Sequence, residues 1–513
     1  MLFVKYLARV KSSEISVLAR VAQRTHQKIM FRIRNIIFTI MVCTRLSYHI
    51  GIAINFSGGV GLFVGSFLLV ICDLECSCEV LLFPGRQAVP SKAGTGCFFS
   101  TMAWRILPLL FLGFLASYLD RVNVGYAKLR MLSDLGMSEA AYGLGTGLFF
   151  LGYILCEVPS NLMLVKFGAR NWIARILVTW GLCSGLMMFV HTPTQFYVLR
   201  ILLGVAEAGF MPGVLYYLAL WFPPQYRSKV TAAFMAGIPL ASVIGGPVSG
   251  LLMERLNGVA GYEGWRWLFF CEALPPVLIG IAVFLFLPTS PDKATWLTAS
   301  ESEWLRRENP LPSNKVSLSV SIGAAFRSPW VWLLGIVDGT LLLGLYTIAF
   351  WTPSLLHDDG IRSTFQIGCL SAIPQIGAVA SMLLIGRSSD ERGERRWHIV
   401  LLIVVGSIAM TCIPLCMGNP FIAIACITAA NMGILGALPP FWVLPSIMLK
   451  GNSAAVGLAL AGSIANIAGF FATALVGYAR SVTGDMSGVI WLFAGLVLLG
   501  GLSVLMIPKN SMK

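Results

Sequence analysis

The 513-residue chain contains few charged residues and very few histidines. Charged side chains make up 12% of the sequence, and only five residues are histidine. Soluble domains contain about 25% charged residues, so the scarcity of charge excludes an ordinary soluble globular fold. Hydrophobic residues reach 57%, and the mean hydropathy is +0.79. The composition therefore indicates an all-α protein that crosses a membrane several times.

The sequence also lacks the patterns that enzymes and metal sites require. It has no glycine-rich phosphate loop and no set of nucleophile, base and oxyanion donors. Its 12 cysteines lie mostly as single residues inside apolar runs, without histidines at ligand spacing. The formal charge of +14 comes from basic residues scattered between the apolar runs. We therefore expect no enzyme activity, no cofactor, no metal site and no nucleic-acid partner.

Apolar runs of about 20 residues recur from residue 104 onward, and each is long enough to span the hydrocarbon core of a bilayer. There are twelve of them, at 104–127, 140–164, 172–190, 196–220, 229–253, 266–287, 330–355, 366–386, 398–417, 420–448, 453–478 and 488–507. The connections are short except at 288–328, which is polar and rich in charge and proline. We predict two six-helix halves, residues 102–287 and 329–513, joined by this linker.

Lysine and arginine are unevenly distributed between the loops. The loops after even-numbered runs hold most of them, among them Lys166, Arg170 and Arg395. The positive-inside rule therefore predicts that both ends of the twelve-helix unit, and the linker, are cytoplasmic. Short basic turns follow the second run (NLMLVKFGAR, 161–170) and the eighth (GRSSDERGERR, 386–396). Their similarity, six helices apart, favours repeated halves with a substrate site between them.

Residues 1–101 do not fit this plan. The first 34 residues carry eight lysines or arginines against one glutamate, and two weaker apolar stretches follow. We expect this extension not to be native structure, with translation beginning near Met102. A basic, acid-poor targeting segment and two additional helices are the alternatives.

Four of the charged residues inside the predicted helices are candidate site residues. Asp120 and Arg121 are adjacent in the first run, and Arg200 and Glu207 lie seven residues apart in the fourth. A charge near the bilayer centre costs at least about 2.5–3.5 kcal/mol and marks a functional site by default. Arg121 can bind a carboxylate through two parallel hydrogen bonds, and the acids can exchange protons. We infer coupled entry of an anion and a proton; a static salt-bridge lattice between the two helices is the alternative.

Three further side chains are candidates for a substrate cavity. Asn466 is a polar residue deep in the eleventh run, and Tyr118 and Tyr346 lie in the first and seventh. The asparagine can bind hydroxyl or carboxylate groups, or form a hydrogen bond between helices. The tyrosines can line the cavity or simply pack against neighbouring helices.

Residues 102–510 resemble the major facilitator superfamily, and within it the anion:cation symporters that include bacterial tartrate and phthalate permeases. The similarity rests on LDRVNVGYA, GYILCEVPSNLML, KFGARNWIARI, RILLGVAEAGFMPGVLYYLALWFP, GWRWLFFCEALPPVLIG, PTSPDKATWLT and GRSSDERGERR, at residues 119–127, 152–164, 166–176, 200–223, 264–280, 288–298 and 386–396. The last segment matches the superfamily loop pattern Gly-x-x-x-Asp-Arg-x-Gly, with Glu391 at the arginine position. In the first-half loop, Val165 replaces the usual acid and Asn161 the usual glycine.

The resemblance implies a monomeric transporter in the bacterial inner membrane that imports a small organic carboxylate together with a proton. It implies that Arg121 and Asn466 bind substrate, that Asp120 and Glu207 couple protons, and that Arg200 is their basic partner. It also implies gating loops formed by Lys166, Gly168, Arg170, Gly386, Asp390, Gly393, Arg395 and Arg396.

Three other functions compete with this interpretation. A drug:proton antiporter would have the same fold, and GGPVSG at 245–250 is faintly similar to a motif of such antiporters. Arg121 and Arg200 argue against it, because a hydrophobic cation would not favour two arginines in its pocket. A membrane sensor and a membrane enzyme are weaker alternatives, since the sequence contains no signalling domain and no catalytic constellation.

Overall fold

The computed structural model describes residues 92–235, 237–309, 323, 326–448 and 454–507, and this part of the chain is nearly all helical. Its helices are α1 (Lys92–Leu135), α2 (Glu139–Phe167), α3 (Ala169–Leu186), α4 (Pro193–Glu207), α5 (Phe210–Trp221), α6 (Pro224–Met235), α7 (Gly237–Arg255), α8 (Gly264–Phe286), α9 (Ala299–Glu308), α10 (Pro329–Asp358), α11 (Thr364–Arg392), α12 (Arg396–Cys412), α13 (Pro420–Gly436), α14 (Leu438–Met448), α15 (Ala454–Thr483) and α16 (Ser487–Ser503). The all-α prediction is confirmed.

The predicted apolar runs coincide with these helices. Within the described residues, eleven helical segments are long and apolar enough to cross a membrane. The remaining run corresponds to α12, which has 17 residues and is shorter than the other segments. The number twelve and the cytoplasmic location of the termini therefore stay predictions.

The first ten residues of α1 belong to the region that we expect not to be native. Residues 1–91 lie outside the described residues, so the structure does not test that expectation. In α1, Phe98 and Phe99 pack against Trp304 of α9, with ring centroids 6.2 and 5.8 Å apart. Helix α9 lies in the predicted linker and begins at a capping box formed by Thr298 and Glu301.

The helices pack in two sets that we name the N-terminal group (α1–α8) and the C-terminal group (α10–α16). In the first, α3 packs against α8, α2 against α4, and α1 against α7 and α8. In the second, α10 packs against α15 and α16, α11 against α13, and α12 against α13 and α16. The groups meet where α2 lies along α15, α7 along α11 and α1 against α10. A cavity at this junction would be lined by helices of both groups.

Glycines allow the closest of these approaches. A Cβ at Gly204 of α4 would collide with the backbone carbonyl of Phe149 in α2. A Cβ at Gly143 of α2 would lie 2.5 Å from the carbonyl oxygen of Thr473 and 3.0 Å from Cα of Gly477, both in α15. Small residues let helix backbones touch in a membrane, where apolar burial does not drive association. The packing of α2 on both sides thus depends on glycine.

Four charged residues join the groups near the end where α1 meets α2. Lys128 Nζ lies 2.7 Å from a carboxylate oxygen of Glu139 and donates a hydrogen bond to Ser354 Oγ at 2.9 Å. Arg480 of α15 pairs with Glu139 at 3.1 Å and with Asp358 at 2.8 Å. We call Lys128, Glu139, Asp358 and Arg480 the four-charge cluster. It connects α1 and α2 to α10 and α15.

Gly204→Ala is expected to destabilise the N-terminal group, because the added methyl has no space beside the Phe149 carbonyl. Overpacking of this kind costs about 1–3 kcal/mol, so the unfolding temperature of the purified protein in detergent should fall. The matched control is Gly495→Ala in α16, where a Cβ would meet nothing within 4 Å. Equal unfolding temperatures for the two variants would contradict the tight contact.

Candidate functional site

The fourth apolar run breaks directly after Glu207. Helix α4 ends at Glu207, Gly209 has φ +84°, and α5 begins at Phe210. A left-handed backbone suits glycine, which has no Cβ. Ser160 of α2 donates a hydrogen bond at 2.6 Å to the carbonyl oxygen of Ala208 inside the break. The interruption ends α4 in the middle of a predicted membrane span and fixes the Glu207 side chain at its last turn.

Glu207 accepts hydrogen bonds from Arg121 of α1. The Nε and Nη2 atoms of Arg121 lie 2.9 and 2.7 Å from the same oxygen, Glu207 Oε1, and Ser117 Oγ donates to this oxygen at 2.7 Å. The side chain of Glu207 is 1% exposed and that of Arg121 is 13% exposed. Among the described residues, Glu207 Oε2 has no hydrogen-bond partner. In this pair the carboxylate of Glu207 is therefore buried, whereas the side chain of Arg121 keeps a small exposed surface.

Aromatic rings surround the guanidinium of Arg121. Its Cζ lies 5.5 Å from the ring centroid of Tyr118, 5.5 Å from Phe149 and 5.2 Å from Tyr153. Its Nη1 donates a 3.4 Å hydrogen bond to the hydroxyl of Tyr346 in α10. Both predicted tyrosines thus contact Arg121, and Tyr346 does so from the C-terminal group. Cation–π contacts stabilise a buried guanidinium without neutralising it, so it can still bind an anion.

Asp120 points to other partners than its neighbour Arg121, as expected for residues about 100° apart on a helix. It accepts hydrogen bonds from Trp180 Nε1 at 2.9 Å, from Asn123 Nδ2 at 3.2 Å and from Ser184 Oγ. Trp180 and Ser184 belong to α3, so the contacts of Asp120 stay within the N-terminal group. All three donors are neutral. The charge state of Asp120 is consequently not fixed by a direct ion pair.

Arg200 is buried in α4 without an ion-pair partner within the described part of the chain. Its Nη2 donates to the backbone oxygen of Thr146 at 3.3 Å, and its Cζ lies 5.0 Å from the Phe149 ring. Its Nε and Nη1 atoms have no hydrogen-bond partner among the described residues. Phe149 lies beside both Arg121 and Arg200. The two arginines therefore share one aromatic neighbour, while only Arg121 contacts an acid.

Asn466 lies in α15 and is partly buried. Its side-chain amide donates a 3.1 Å hydrogen bond to the backbone oxygen of Gly462, one turn earlier in the same helix. Its predicted role in substrate binding stays a prediction.

The predicted gating residues lie in the turns after α2 and α11 and on the adjoining helix ends, because α2 continues to Phe167 and α11 to Arg392 and the predicted basic turns are shorter than expected. Gly168 has φ +86° between α2 and α3, and Gly393 ends α11 with φ +60°. Arg170 donates to the Leu287 carbonyl at 3.4 Å, Arg396 donates to the Leu505 carbonyl, and Arg395 lies 3.6 Å from Asp390. Lys166 lies 5.7 Å from the Phe167 ring, and Gly386 lies within α11. These contacts describe positions and leave the gating roles predictions.

Two further buried acids were not predicted as site residues. Glu157 of α2 accepts a 3.0 Å hydrogen bond from Ser463 of α15, which joins the two groups. Asp338 of α10 is buried, and within the described residues its Oδ1 has no partner. Each stands alone in an apolar run, and this was the available signal in the sequence. Which helix face an isolated acid occupies depends on packing that the sequence does not give.

Comparisons with known proteins identify close relatives along most of the chain. The family model described as Major Facilitator Superfamily matches residues 110–473. The "Putative metabolite transport protein NicT" of Pseudomonas putida is 48% identical over 81% of this chain and 96% of its own. A "Putative tartrate transporter" of Agrobacterium vitis is 43% identical over 79% of this chain and 94% of its own, and a "Quinolone resistance transporter" of Acinetobacter baumannii is 39% identical over 78% and 92%.

A solved structure shares the fold. The D-xylose-proton symporter superimposes with a TM-score of 0.61 at 16% identity, covering 80% of this chain and 99% of the symporter.

Proposed function

Because the chain belongs to the major facilitator superfamily, a multi-pass family of membrane transporters, we propose that it imports a small organic carboxylate by proton symport. The N- and C-terminal groups are then the two halves of the transporter, with boundaries at 102–287 and 329–513 and cytoplasmic ends. Alternating access would move these halves around a site between them.

The ion pair between Arg121 and Glu207 is the observation that carries this proposal. Both arginine contacts converge on one oxygen, Glu207 Oε1, and a guanidinium can equally bind two oxygens of a substrate carboxylate. A substrate anion that takes over the guanidinium would leave Glu207 without its cation inside the membrane. Glu207 would then take up a proton, because an unpaired carboxylate is costly there. Anion entry and proton entry would thereby depend on each other.

The surroundings of Arg121 support a cavity that both halves enclose. Tyr118, Phe149 and Tyr153 come from α1 and α2, and Tyr346 comes from α10. Arg121 retains 13% exposure beside a fully buried acid, so an approaching anion would reach the guanidinium first. Arg200, which shares Phe149 with Arg121, would add positive potential without being neutralised by an acid.

A drug:proton antiporter is the second candidate. A quinolone resistance transporter is 39% identical to this chain, which is nearly as high as the 43% identity of the tartrate transporter. This similarity favours the antiporter. Export would run through the same alternating-access cycle in the opposite direction. The exchanged proton could use the same acid, so the direction of transport separates the two functions.

The proposal predicts uptake that depends on a proton gradient. Cells expressing the chain are supplied with labelled tartrate, phthalate, gluconate or 4-hydroxyphenylacetate, with and without a protonophore. We expect one acid to accumulate and the protonophore to abolish its accumulation. A protein that is present in the membrane but accumulates none of them would contradict import, and lower retention of a preloaded quinolone would then favour the antiporter.

Arg121→Ala is expected to reduce carboxylate uptake to the level of cells without the transporter, because it removes the group that binds the anion. Membrane insertion, measured by immunoblotting of the membrane fraction, should be unchanged. Arg307→Ala serves as the control, because Arg307 is exposed on α9 and, within the described residues, pairs with Glu303 of the same helix. Normal uptake by Arg121→Ala would exclude the binding role.

Glu207→Gln is expected to abolish proton-driven accumulation while counterflow of the same acid continues. Glutamine keeps the size of the side chain but cannot bind and release a proton. Accumulation and counterflow are measured in the same proteoliposomes, and Glu303→Gln on the surface of α9 is the control. If Glu207→Gln still concentrated substrate against its gradient, Glu207 would not be a coupling acid.

A further inference from the structure

Glu272 is a second buried carboxyl group near Asp120, and the coupling scheme above does not use it. It lies in α8, in the segment GWRWLFFCEALPPVLIG, and is 7% exposed. An acid inside a membrane span is a functional candidate by default because of the cost of burying it. Unlike Glu207, it has no arginine or lysine among its described contacts. A static ion pair therefore does not explain it.

The contacts of Glu272 lead to Asp120 through a single side chain. Ser249 of α7 donates a 2.9 Å hydrogen bond to Glu272 Oε1, and the side chain of Asn123 in α1 lies beside Glu272. The amide nitrogen of Asn123 donates to Asp120 Oδ1 at 3.2 Å. Helices α1, α7 and α8 thus bring two carboxyl groups to one asparagine. This asparagine is fully buried, so bulk water does not separate the two acids.

The two carboxyl groups have unequal hydrogen-bond environments. Asp120 accepts from three donors on Trp180, Ser184 and Asn123. For Glu272, one oxygen accepts from Ser249, and Oε2 has no partner meeting hydrogen-bond geometry in the described part of the chain. An ionised carboxylate offers about four acceptor positions, whereas a protonated one needs an acceptor for its O–H. The surroundings of Glu272 can therefore serve the protonated form as well as the ionised one.

Asn123 provides the matching acceptor. Within the described residues its Oδ1 is buried and has no hydrogen-bond partner. Rotation of the amide would turn this oxygen toward a protonated Glu272, and return rotation would direct the NH₂ group to an ionised one. The orientation of Asn123 would thereby change the number of donors that reach Asp120. The protonation of one acid can thus change the hydrogen bonds of the other through the amide, which does not carry a proton itself.

Glu272 also lies near a polar pocket between the two groups of helices. Tyr126, one turn after Asn123 in α1, lies close enough to Glu272 for the charge of the acid to act on it. Tyr126 lines a small pocket together with Ser242, Ser371 and Gln375 and with residues of α10. Within the described residues, Asp120 and Tyr126, both in α1, are the titratable groups on the helices packed against α8 that lie within electrostatic range of Glu272. The pocket gives a polar surface from which a proton could reach the acid.

We propose that Glu272 is a further proton-binding acid of the transport cycle, in addition to Asp120 and Glu207, and that it is coupled to Asp120 through Asn123. This inference rests on the proposed proton symport. In the step itself, the carboxylate of Glu272 takes a proton from a hydronium ion on one side of the membrane, which leaves a water molecule and a carboxylic acid. The same O–H bond later breaks and the proton leaves to water on the other side. No other bond changes, and Asn123 is a positioning residue.

Glu272→Gln tests the proposal in proteoliposomes, with the acid that the wild-type protein accumulates from the panel of tartrate, phthalate, gluconate and 4-hydroxyphenylacetate. Glutamine imitates the protonated acid permanently. We expect accumulation to fall to the level that the protonophore leaves, while counterflow continues at the wild-type rate. The matched control is Glu263→Gln, an exposed residue at the start of the same helix. Wild-type accumulation by Glu272→Gln would overturn the proposal.

A substrate-independent measurement separates this inference from the proposed function. Infrared difference spectra of the purified protein are recorded while the pH is varied. We expect the carbonyl-stretch band of one titrating carboxylic acid to be absent from Glu272→Gln and present in Glu263→Gln. Identical bands in both would overturn the proton-binding role. If the wild-type protein transports none of the acids, the proposed function fails and this measurement alone decides the role of Glu272.

A misfolded variant is recognised by a second substitution. If Glu272→Gln loses counterflow as well as accumulation, Glu272→Asp is compared with it, because aspartate keeps a carboxyl group at this position. Partial return of protonophore-sensitive accumulation supports the proposal. Loss of accumulation in both variants, with normal counterflow in Glu272→Asp, would assign Glu272 a structural role.

Discussion

The ion pair between Arg121 and Glu207 is the contact on which the site depends, because a charge inside a bilayer needs a partner. The Nε and Nη2 atoms of Arg121 both contact one oxygen of the buried Glu207 carboxylate. The break at Gly209 follows directly after Glu207 and sets where its helix ends. A cation held in this way is stable only while an anion occupies its fork. The same requirement that stabilises the resting protein would therefore select for an anionic ligand.

The buried acids differ in the partners that surround them, and this divides their chemistry. Glu207 faces a cation, Asp120 faces three neutral donors, and Glu272 faces one hydroxyl and one amide. A change of charge at Glu207 alters an ion pair, whereas a change at Asp120 or Glu272 alters only hydrogen bonds. The first would act on substrate binding and the others on the packing of α1 against α3, α7 and α8. Binding and helix movement would thus respond to different protons.

Much of the fold could be predicted from the sequence because helix length and apolar composition are local properties. The runs at 104–127 and 196–220 become α1 and the broken pair α4 and α5, and the charges on them showed which helices must meet. The partners of each charge could not be predicted. Trp180 and Ser184 look like ordinary residues of an apolar run, and only the packing of α3 against α1 brings them to Asp120. Likewise, the side-chain amide of Asn466 donates to a backbone oxygen of its own helix. This contact depends on the side-chain rotamer, which the position of Asn466 in the sequence does not determine.

The four-charge cluster has a consequence for how the membrane voltage acts on the protein. Lys128 and Arg480 carry two positive charges, and Glu139 and Asp358 carry two negative ones, so with all four ionised the cluster is electrically neutral. One elementary charge moved across 100 mV changes the free energy by about 2.3 kcal/mol, but a neutral set that separates and re-forms moves almost no net charge. Parting of the helices at this end would therefore be nearly independent of voltage. Voltage dependence of transport would then come from other charges, including the substrate and its protons.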